Sequence, residues 1–213
     1  MKDRGAWRVF YSGYSAATEA STMLAATIDG AQMRKASGVV FADDRFKNPK
    51  EPAVVAKPDG FRLFFEYAID GASRIGVADA ASLDGPWTFG TPPLLPRGDR
   101  FDAFHLSPIC GVRMADGRVL LFYNGSKQEV AWRIGWALFA TDGVELIERC
   151  DEPLVAPGPV HGSDTDIAFG ASVVVVERDH ALLYHSLSDR YLRRIAVRID
   201  GAIGDAAEPT ASR

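Results

Sequence analysis

Short segments along the chain carry the apolar and aromatic pattern of β-strands. The segments "RLFFEYA" and "VLLFYNG" are rich in apolar and aromatic side chains and are bounded by turn residues. Tight-turn sequences, "KPDGF", "ADGR" and "ERDH", precede strands of this type. No long segment places apolar residues at the i, i+3, i+4 and i+7 positions of an amphipathic helix. The pattern therefore predicts an all-β protein.

Four similar segments repeat along the chain, each with an aromatic strand, a polar turn, a strand with a central alanine, and then a glycine. Three kinds of position keep nearly the same spacing: the aromatic anchors Tyr11, Phe65, Tyr123 and Tyr184, the alanines Ala25, Ala78, Ala137 and Ala196, and the glycines Gly30, Gly85, Gly143 and Gly201. A period of roughly 55 residues with about four strands is typical of a β-propeller blade. We therefore predict a single β-propeller domain over residues 1–213, with units at 1–45, 46–100, 101–158 and 159–203.

Three of the units begin with an additional strand that should line the centre of the propeller. Its sequences are "EPAVVAK", "SPICGVRM" and "FGASVVVVER". One period before Pro52 lies ahead of Met1, so the first unit has no counterpart of this strand. We expect the chain to be truncated at its N-terminal side and to lack a first blade. The alternative is that the C-terminal segment "AIGDAAEPTASR" supplies the strand.

The composition excludes some classes of partner. Apolar residues make up 47% and charged residues 24% of the 213 residues, which is ordinary for a soluble domain. A net charge of -4 argues against nucleic acid, which requires a basic face. No apolar run approaches the roughly 18 residues of a membrane span. The start "MKDRGAWRVFYSGYS" has no signal-peptide core, which predicts a cytoplasmic protein by default. The oligomeric state stays open.

Cysteine usage predicts neither a disulfide framework nor a zinc site. Only Cys110 and Cys150 are present, and neither belongs to a CxxC motif or to a cluster with histidine. We expect both to be buried thiols.

Polar residues cluster where the predicted central strands begin. The three clusters are Glu51 in "NPKEP", Asp102, His105 and Ser107 in "FDAFHLSP", and His161, Asp164 and Asp166 in "HGSDTDIAFGAS". Carboxylates from three blades that meet in one pocket suit acid/base chemistry, since a neighbouring charge or an apolar wall can hold one of them protonated. Glycoside cleavage needs such a pair of carboxyl groups.

Two stretches carry a resemblance to known families. The unit "EPAVVAKPDGFRLFFEYAIDGASRIGVADAASLDGPW", above all its closing "SLDGPW", resembles a blade of the five-bladed β-propeller glycosidases of glycoside hydrolase family 43. The stretch "WRIGWALFATDGVELIERCDEPLVAP" is similar to family 130, the β-mannoside phosphorylases and mannosidases. The similarity covers most of residues 7–200 and is a blade pattern more than a strict motif. It implies an all-β propeller of the five-bladed glycosidase type, with about four blades present.

The resemblance also implies roles for individual residues. Glu51 in "KEP" is similar to the general acid of family 43, which opens the central strand of the third blade. The two aspartates of that family would lie on strands that this chain lacks, so catalysis would need Asp102, Asp164 or Asp166 in their place.

Four further residues are predicted to bind the carbohydrate substrate: His105, Ser107, His161 and Asp164. We expect no cofactor. A metal ion held near His161, as in some family members, is the less favoured alternative.

Structural roles are the alternative for most of these residues. Glu51 could cap a turn or pair with Lys50 or Lys47, and Asp102 could be an Asx-turn residue. Asp164 and Asp166 could be solvated loop residues, and His105 a structural histidine. Trp87 is expected to pack within its blade, and at most one of Trp132 and Trp136 should offer a stacking surface, because they lie on one strand with a core-facing side.

The leading functional prediction is inverting hydrolysis of a glycosidic bond, with Glu51 as the acid and the carboxyl groups roughly 6.5–9.5 Å apart. The alternative is a non-catalytic propeller that binds carbohydrate or protein. A glycoside phosphorylase, with phosphate held near Arg97, Arg100 and His105, is a minor alternative. The number of carboxylates that face the central funnel would discriminate between these functions.

Overall fold

The computed structural model describes residues 1–3, 5–159, 161–162 and 164–204. These residues form fifteen β-strands in four antiparallel sheets, which confirms the all-β prediction and the blade-like meander of a partial β-propeller. Among the described residues, no helix has the length and apolar character needed to cross a membrane. The chain separates into two compact units, the first from Met1 to Pro92 and the second beginning at Pro93.

Two sheets build the first unit. The first sheet has the order β1-β2-β3-β4 and the second the order β5-β6-β7-β8. Their strands are β1 (Lys2–Asp3), β2 (Ala6–Ser15), β3 (Ala20–Asp29), β4 (Gln32–Lys35), β5 (Lys47–Lys57), β6 (Gly60–Ile69), β7 (Ala72–Ala80) and β8 (Thr88–Phe89). In the first sheet the two-residue β1 pairs with β2 at the position where the other three sheets have a first strand of 9 to 11 residues. The predicted truncation stays a prediction.

The core of the first unit consists of aromatic and aliphatic side chains between its two sheets. Phe61, Leu63, Phe65 and Tyr67 alternate along β6, and all four are buried because every second residue of a strand faces the same side. Trp87 is buried among them and meets Phe10 edge-to-face at 6.3 Å between ring centroids. The structure thus confirms that Trp87 packs within its unit.

Two further sheets build the second unit. The third sheet has the order β12-β11-β10-β9, and the fourth has three strands in the order β13-β14-β15. Their strands are β9 (His105–Arg113), β10 (Val119–Ser126), β11 (Arg133–Phe139), β12 (Leu146–Arg149), β13 (Ala168–Glu177), β14 (His180–Leu187) and β15 (Tyr191–Arg198). Each of the four sheets lies inside one of the four repeat units of the sequence. The predicted single domain stays a prediction.

A separate core fills the second unit. Ile109 and Val112 of β9, Phe122 of β10 and Leu183 of β14 are among its buried members. Gly170 of β13 is required by this packing, because a Cβ at that position would overlap the side chain of Ile109. Of the two cysteines, Cys150 is buried as expected, whereas Cys110 is only partly buried, and both are free thiols.

Candidate functional site

Glu51 lies inside β5, not ahead of it, and a distorted part of the strand carries it. The pairing of β5 with β6 shifts register between Lys47 and Lys50 and again between Lys50 and Ala53. Both Asn48 and Glu51 have a φ of 51°. Asparagine tolerates this left-handed conformation, whereas for glutamate it costs on the order of 1 kcal/mol and needs support from the surroundings. Such bulges re-aim side chains and are frequent beside active sites.

The first sheet supplies that support through two hydrogen bonds. The amide of Glu51 donates to Ser12 Oγ of β2 at 3.0 Å, and the amide of Ser21 in β3 donates to Asn48 Oδ1 at 3.0 Å. The bulged segment is therefore fixed at both of its left-handed residues by the neighbouring sheet of the same unit.

The surroundings of Glu51 favour its protonated form. Partial burial of the carboxyl raises its pKa above the ordinary value, the negative charge of Glu66 raises that pKa further, and Lys50 opposes both effects. Lys50 forms its ion pair with Glu66, at 3.1 Å between Nζ and Oε1, and Ser73 Oγ donates to the same Glu66 oxygen at 2.6 Å. Within the described residues no hydrogen bond to the Glu51 carboxyl is found, so its proposed turn-capping role has no support. A half-buried carboxyl with a raised pKa is suited to donate a proton.

Asp102, in the second unit, is fully buried in a network of cations. Its Oδ2 lies 2.8 Å from Arg97 Nη2 and 2.6 Å from Arg149 Nη2, and it accepts a hydrogen bond from the Tyr123 hydroxyl at 2.6 Å. Arg97 also donates to the Cys150 carbonyl at 2.6 Å. Burial raises the pKa of both Tyr123 and Cys150. These contacts favour a structural role for Asp102, because they occupy its oxygens and exclude solvent.

The remaining carboxylates of the prediction lie in the segment before β13. Both oxygens of Asp166 accept hydrogen bonds from Arg133 Nη2 at 2.9 Å, and the Asp166 side chain is 49% exposed. Asp164 lies 3.5 Å from Arg190. His161 is exposed, and its carbonyl accepts a hydrogen bond from the Asp164 amide at 3.1 Å. Of Asp102 and Asp166, only Asp166 retains access to solvent.

A cluster of partly exposed aromatic side chains lies at the start of β9. His105 meets Phe104 at 4.7 Å and Trp132 at 5.5 Å between ring centroids, and Trp132 meets Phe169 of β13 edge-to-face at 5.3 Å. Trp132 is thus the tryptophan of the pair that offers a surface, while Trp136 packs against the core. Aromatic faces with a polar edge suit the apolar faces of sugar rings.

Buried polar atoms lie next to this aromatic cluster. Ser107 pairs with Asn124 across β9 and β10, and Asn124 Oδ1 accepts a hydrogen bond from the Gly170 amide at 2.7 Å. Gly170 in turn pairs with His185 of β14. Ser107 Oγ, Asn124 Nδ2 and His185 Nδ1 are all buried, and none has a hydrogen-bond partner within the described residues. Since buried polar groups are nearly always satisfied, these three atoms call for a water or a ligand.

Sequence reasoning missed Asn124, His185 and Glu66, although a signal was present. Each follows the aromatic anchor of its repeat by one residue, in "LFYNGS", "LLYHSL" and "LFFEYA", as Ser12 does in "VFYSGY". Burial of His185 lowers its pKa, and Arg193 adds to the effect, so the imidazole is neutral near pH 7. The repeat thus places one polar side chain after each anchor.

Arg97 and Arg100, which were expected to bind phosphate in a phosphorylase, are paired with carboxylates. Arg97 pairs with Asp102, and Arg100 lies within 4 Å of Asp99, Asp151 and Glu152. In the described part of the chain, three side chains at the β13–β14 turn are close enough together to hold a metal ion: Glu177, Asp179 and His180. His180 Nδ1 and Asp179 Oδ1 are 2.6 Å apart. His161 is not part of this group.

Glu51 belongs to the first unit, and the other six predicted site residues belong to the second. The structure brings His105 and Ser107 together at the start of β9 and places Asp164 and Asp166 together before β13. The convergence of Glu51 with any of them stays a prediction.

The fold is similar to that of known carbohydrate-active enzymes. A β-1,2-mannobiose phosphorylase from Listeria innocua matches 93% of this chain with a TM-score of 0.78 and 18% identity. A mannose phosphorylase from Leishmania mexicana, MPT-4, matches 99% with a TM-score of 0.67 and 11% identity. A family 117 glycoside hydrolase from Zobellia galactanivorans, Zg3597, matches 92% with a TM-score of 0.58 and 16% identity.

This chain covers only part of those proteins: 56% of the Listeria phosphorylase, 71% of MPT-4 and 67% of Zg3597. No model of a protein family matches the sequence, and no curated protein matches it. The expected resemblance to β-propeller glycosidases, with similarity to mannoside phosphorylases, is confirmed, whereas the likeness to family 43 stays a prediction. At these identities the likeness shows the fold, which is that of a glycosidase-type β-propeller.

Proposed function

We propose that the protein is a carbohydrate-active enzyme that cleaves the glycosidic bond of a mannoside, with Glu51 as the proton donor. The observation that carries this proposal is the half-buried Glu51 carboxyl with a raised pKa on a bulge fixed by Ser12. Departure of the sugar oxygen requires a proton in the transition state, and a carboxyl whose pKa is raised keeps its proton to a higher pH and can supply it.

Within the second unit, a separate group of residues has the character of a carbohydrate-binding surface. Trp132, His105 and Phe169 form a partly exposed aromatic surface beside the buried Ser107 hydroxyl and Asn124 amide. Sugars are bound in this way in general, by aromatic faces that cover the ring and by polar atoms that take its hydroxyl groups. The unpartnered donor and acceptor atoms of Ser107 and Asn124 support this role.

The acceptor is water in the leading form of the proposal and inorganic phosphate in the second. Hydrolysis by inversion needs a base to activate water, and Asp166 is the candidate because its side chain is half-exposed. Phosphorolysis needs no such base, since phosphate is already an anionic nucleophile. The fold likeness to two phosphorylases is the support for this second form.

The test is product analysis with β-1,2-mannobiose and other mannosides, with and without inorganic phosphate. Free mannose alone indicates hydrolysis, and mannose 1-phosphate formed only with phosphate indicates phosphorolysis. Glu51→Gln should abolish either product. Glu19→Gln is the matched control, because Glu19 is also a glutamate with positive φ but lies at an exposed turn. Saccharide binding without turnover by the wild type would instead support the non-catalytic alternative.

A further inference from the structure

Strand β15 forms an open edge of the fourth sheet. Among the described residues this sheet has three strands, whereas each of the other three sheets has four. One side of β15 pairs with β14 along its whole length, from Tyr191 to Arg198, and no described strand pairs with the other side. An unpaired edge of eight residues is a template for another strand, and proteins normally cover or shorten such an edge.

The exposed side chains of β15 are basic and apolar. Arg193, Arg194 and Arg198 are exposed, and none of them forms an ion pair within the described ranges. Tyr191 and Leu192 are 44% and 69% exposed. A strand with three arginines and two large apolar side chains suits an acidic strand that has apolar residues of its own.

Strand β12 has that complementary character. It is the edge strand of the third sheet, in the order β12-β11-β10-β9. Leu146 and Ile147 are 43% and 51% exposed. Glu148 lies in this strand and Glu145 directly precedes it. Both are exposed, and neither makes an ion pair with a described residue.

We propose that the chain self-associates by edge-to-edge pairing of β15 in one copy with β12 in a second copy. Main-chain hydrogen bonds would join the two sheets, the arginines of β15 would face the glutamates of β12, and the apolar side chains of both strands would leave solvent. Because every copy carries both edges, two such contacts can close a symmetric pair.

Charge reversal tests this pairing. One variant, Arg193→Glu with Arg194→Glu, has two acidic edges, and the other, Glu145→Arg with Glu148→Arg, has two basic edges. Each variant alone should lose at least about tenfold in association constant, because like charges would meet at both contacts. An equimolar mixture should regain association, because each acidic edge then meets a basic one.

Sedimentation equilibrium of the full chain over a wide concentration range, at low and at high salt, gives the readout. The wild type should exceed its monomer mass of 23.1 kDa, and more so at low salt. Arg34→Glu with Lys35→Glu is the control, since these exposed cations lie on β4, the edge strand of a different sheet. A monomeric wild type, unaffected single variants, or a mixture that stays monomeric would each overturn the proposal.

Discussion

Ser12 accepts the amide of Glu51 at 3.0 Å, and Asn124 accepts the amide of Gly170 at 2.7 Å in the same manner. Both acceptors lie on the second strand of a sheet, one residue after the aromatic anchor of their repeat. Both donors lie in the first strand of the following sheet, beside a register shift. In both cases the side chain after the anchor therefore holds the irregular part of the following sheet's first strand. In the first unit this part carries Glu51.

Ser12→Ala tests whether this hydrogen bond positions the acid. Loss of one hydrogen bond is worth about 1 kcal/mol, so we expect kcat to fall between about threefold and tenfold while KM changes little. Ser12→Thr keeps the hydroxyl and should restore kcat. Steady-state kinetics of both variants provide the check, and equal loss in the Ala and Thr variants would argue against the hydroxyl.

Glu66→Gln should move the pH profile of activity. Removal of the Glu66 charge takes away one cause of the raised pKa of Glu51, so that pKa falls. The acid form of Glu51 then persists only to a lower pH, and the alkaline limb of kcat/KM shifts downward. The amide still accepts from Ser73, which keeps that contact. An unmoved alkaline limb, measured over the full profile, would mean that Glu51 is not the titrating acid.

Asp102→Asn should destabilise the protein without selective loss of catalysis. The substitution leaves Arg97 and Arg149 without their anion at a fully buried position, which costs about 3 kcal/mol of unfolding free energy. Asp151→Asn, at a largely exposed aspartate, should cost less than about 1 kcal/mol. Urea unfolding gives both values. Abolished activity in an Asp102→Asn protein that is still folded would instead restore Asp102 as a catalytic residue.

Ser107→Ala separates a ligand role from a structural role. The Ser107 hydroxyl is buried without a partner among the described residues, so its removal should leave the unfolding free energy within about 0.5 kcal/mol. If the hydroxyl binds sugar, KM or the saccharide Kd should rise between about threefold and tenfold. Calorimetric titration and urea unfolding measure the two effects. A stability loss with unchanged saccharide affinity would contradict the proposed contact.

The strands were predictable from the sequence because their signals are local. Alternating apolar residues and the turns "KPDGF", "ADGR" and "ERDH" fix each hairpin, and the repeated anchors place the sheets within their units. The two-residue β1 was missed because it is too short to show any alternation.

The site was less predictable because it depends on pairing between strands. Glu51 was singled out by its place at the start of a predicted central strand and its role as acid by a resemblance, whereas its bulge arises from register shifts against β6, which no single segment encodes. The buried ion network of Asp102 joins residues as distant in sequence as Arg97 and Arg149. Asn124 and His185 could have been found by comparing the residue after each anchor, because a polar side chain recurs there.

The dependence of the Glu51→Gln defect on the leaving group tests the central claim most directly. A proton donor matters for a poor leaving group and little for a good one, so the variant should lose about a hundredfold or more in kcat/KM with mannobiose or a methyl mannoside. With a dinitrophenyl mannoside, whose leaving group departs without a proton, the variant should keep most of the wild-type rate. An equal loss with both kinds of substrate would contradict Glu51 as the proton donor.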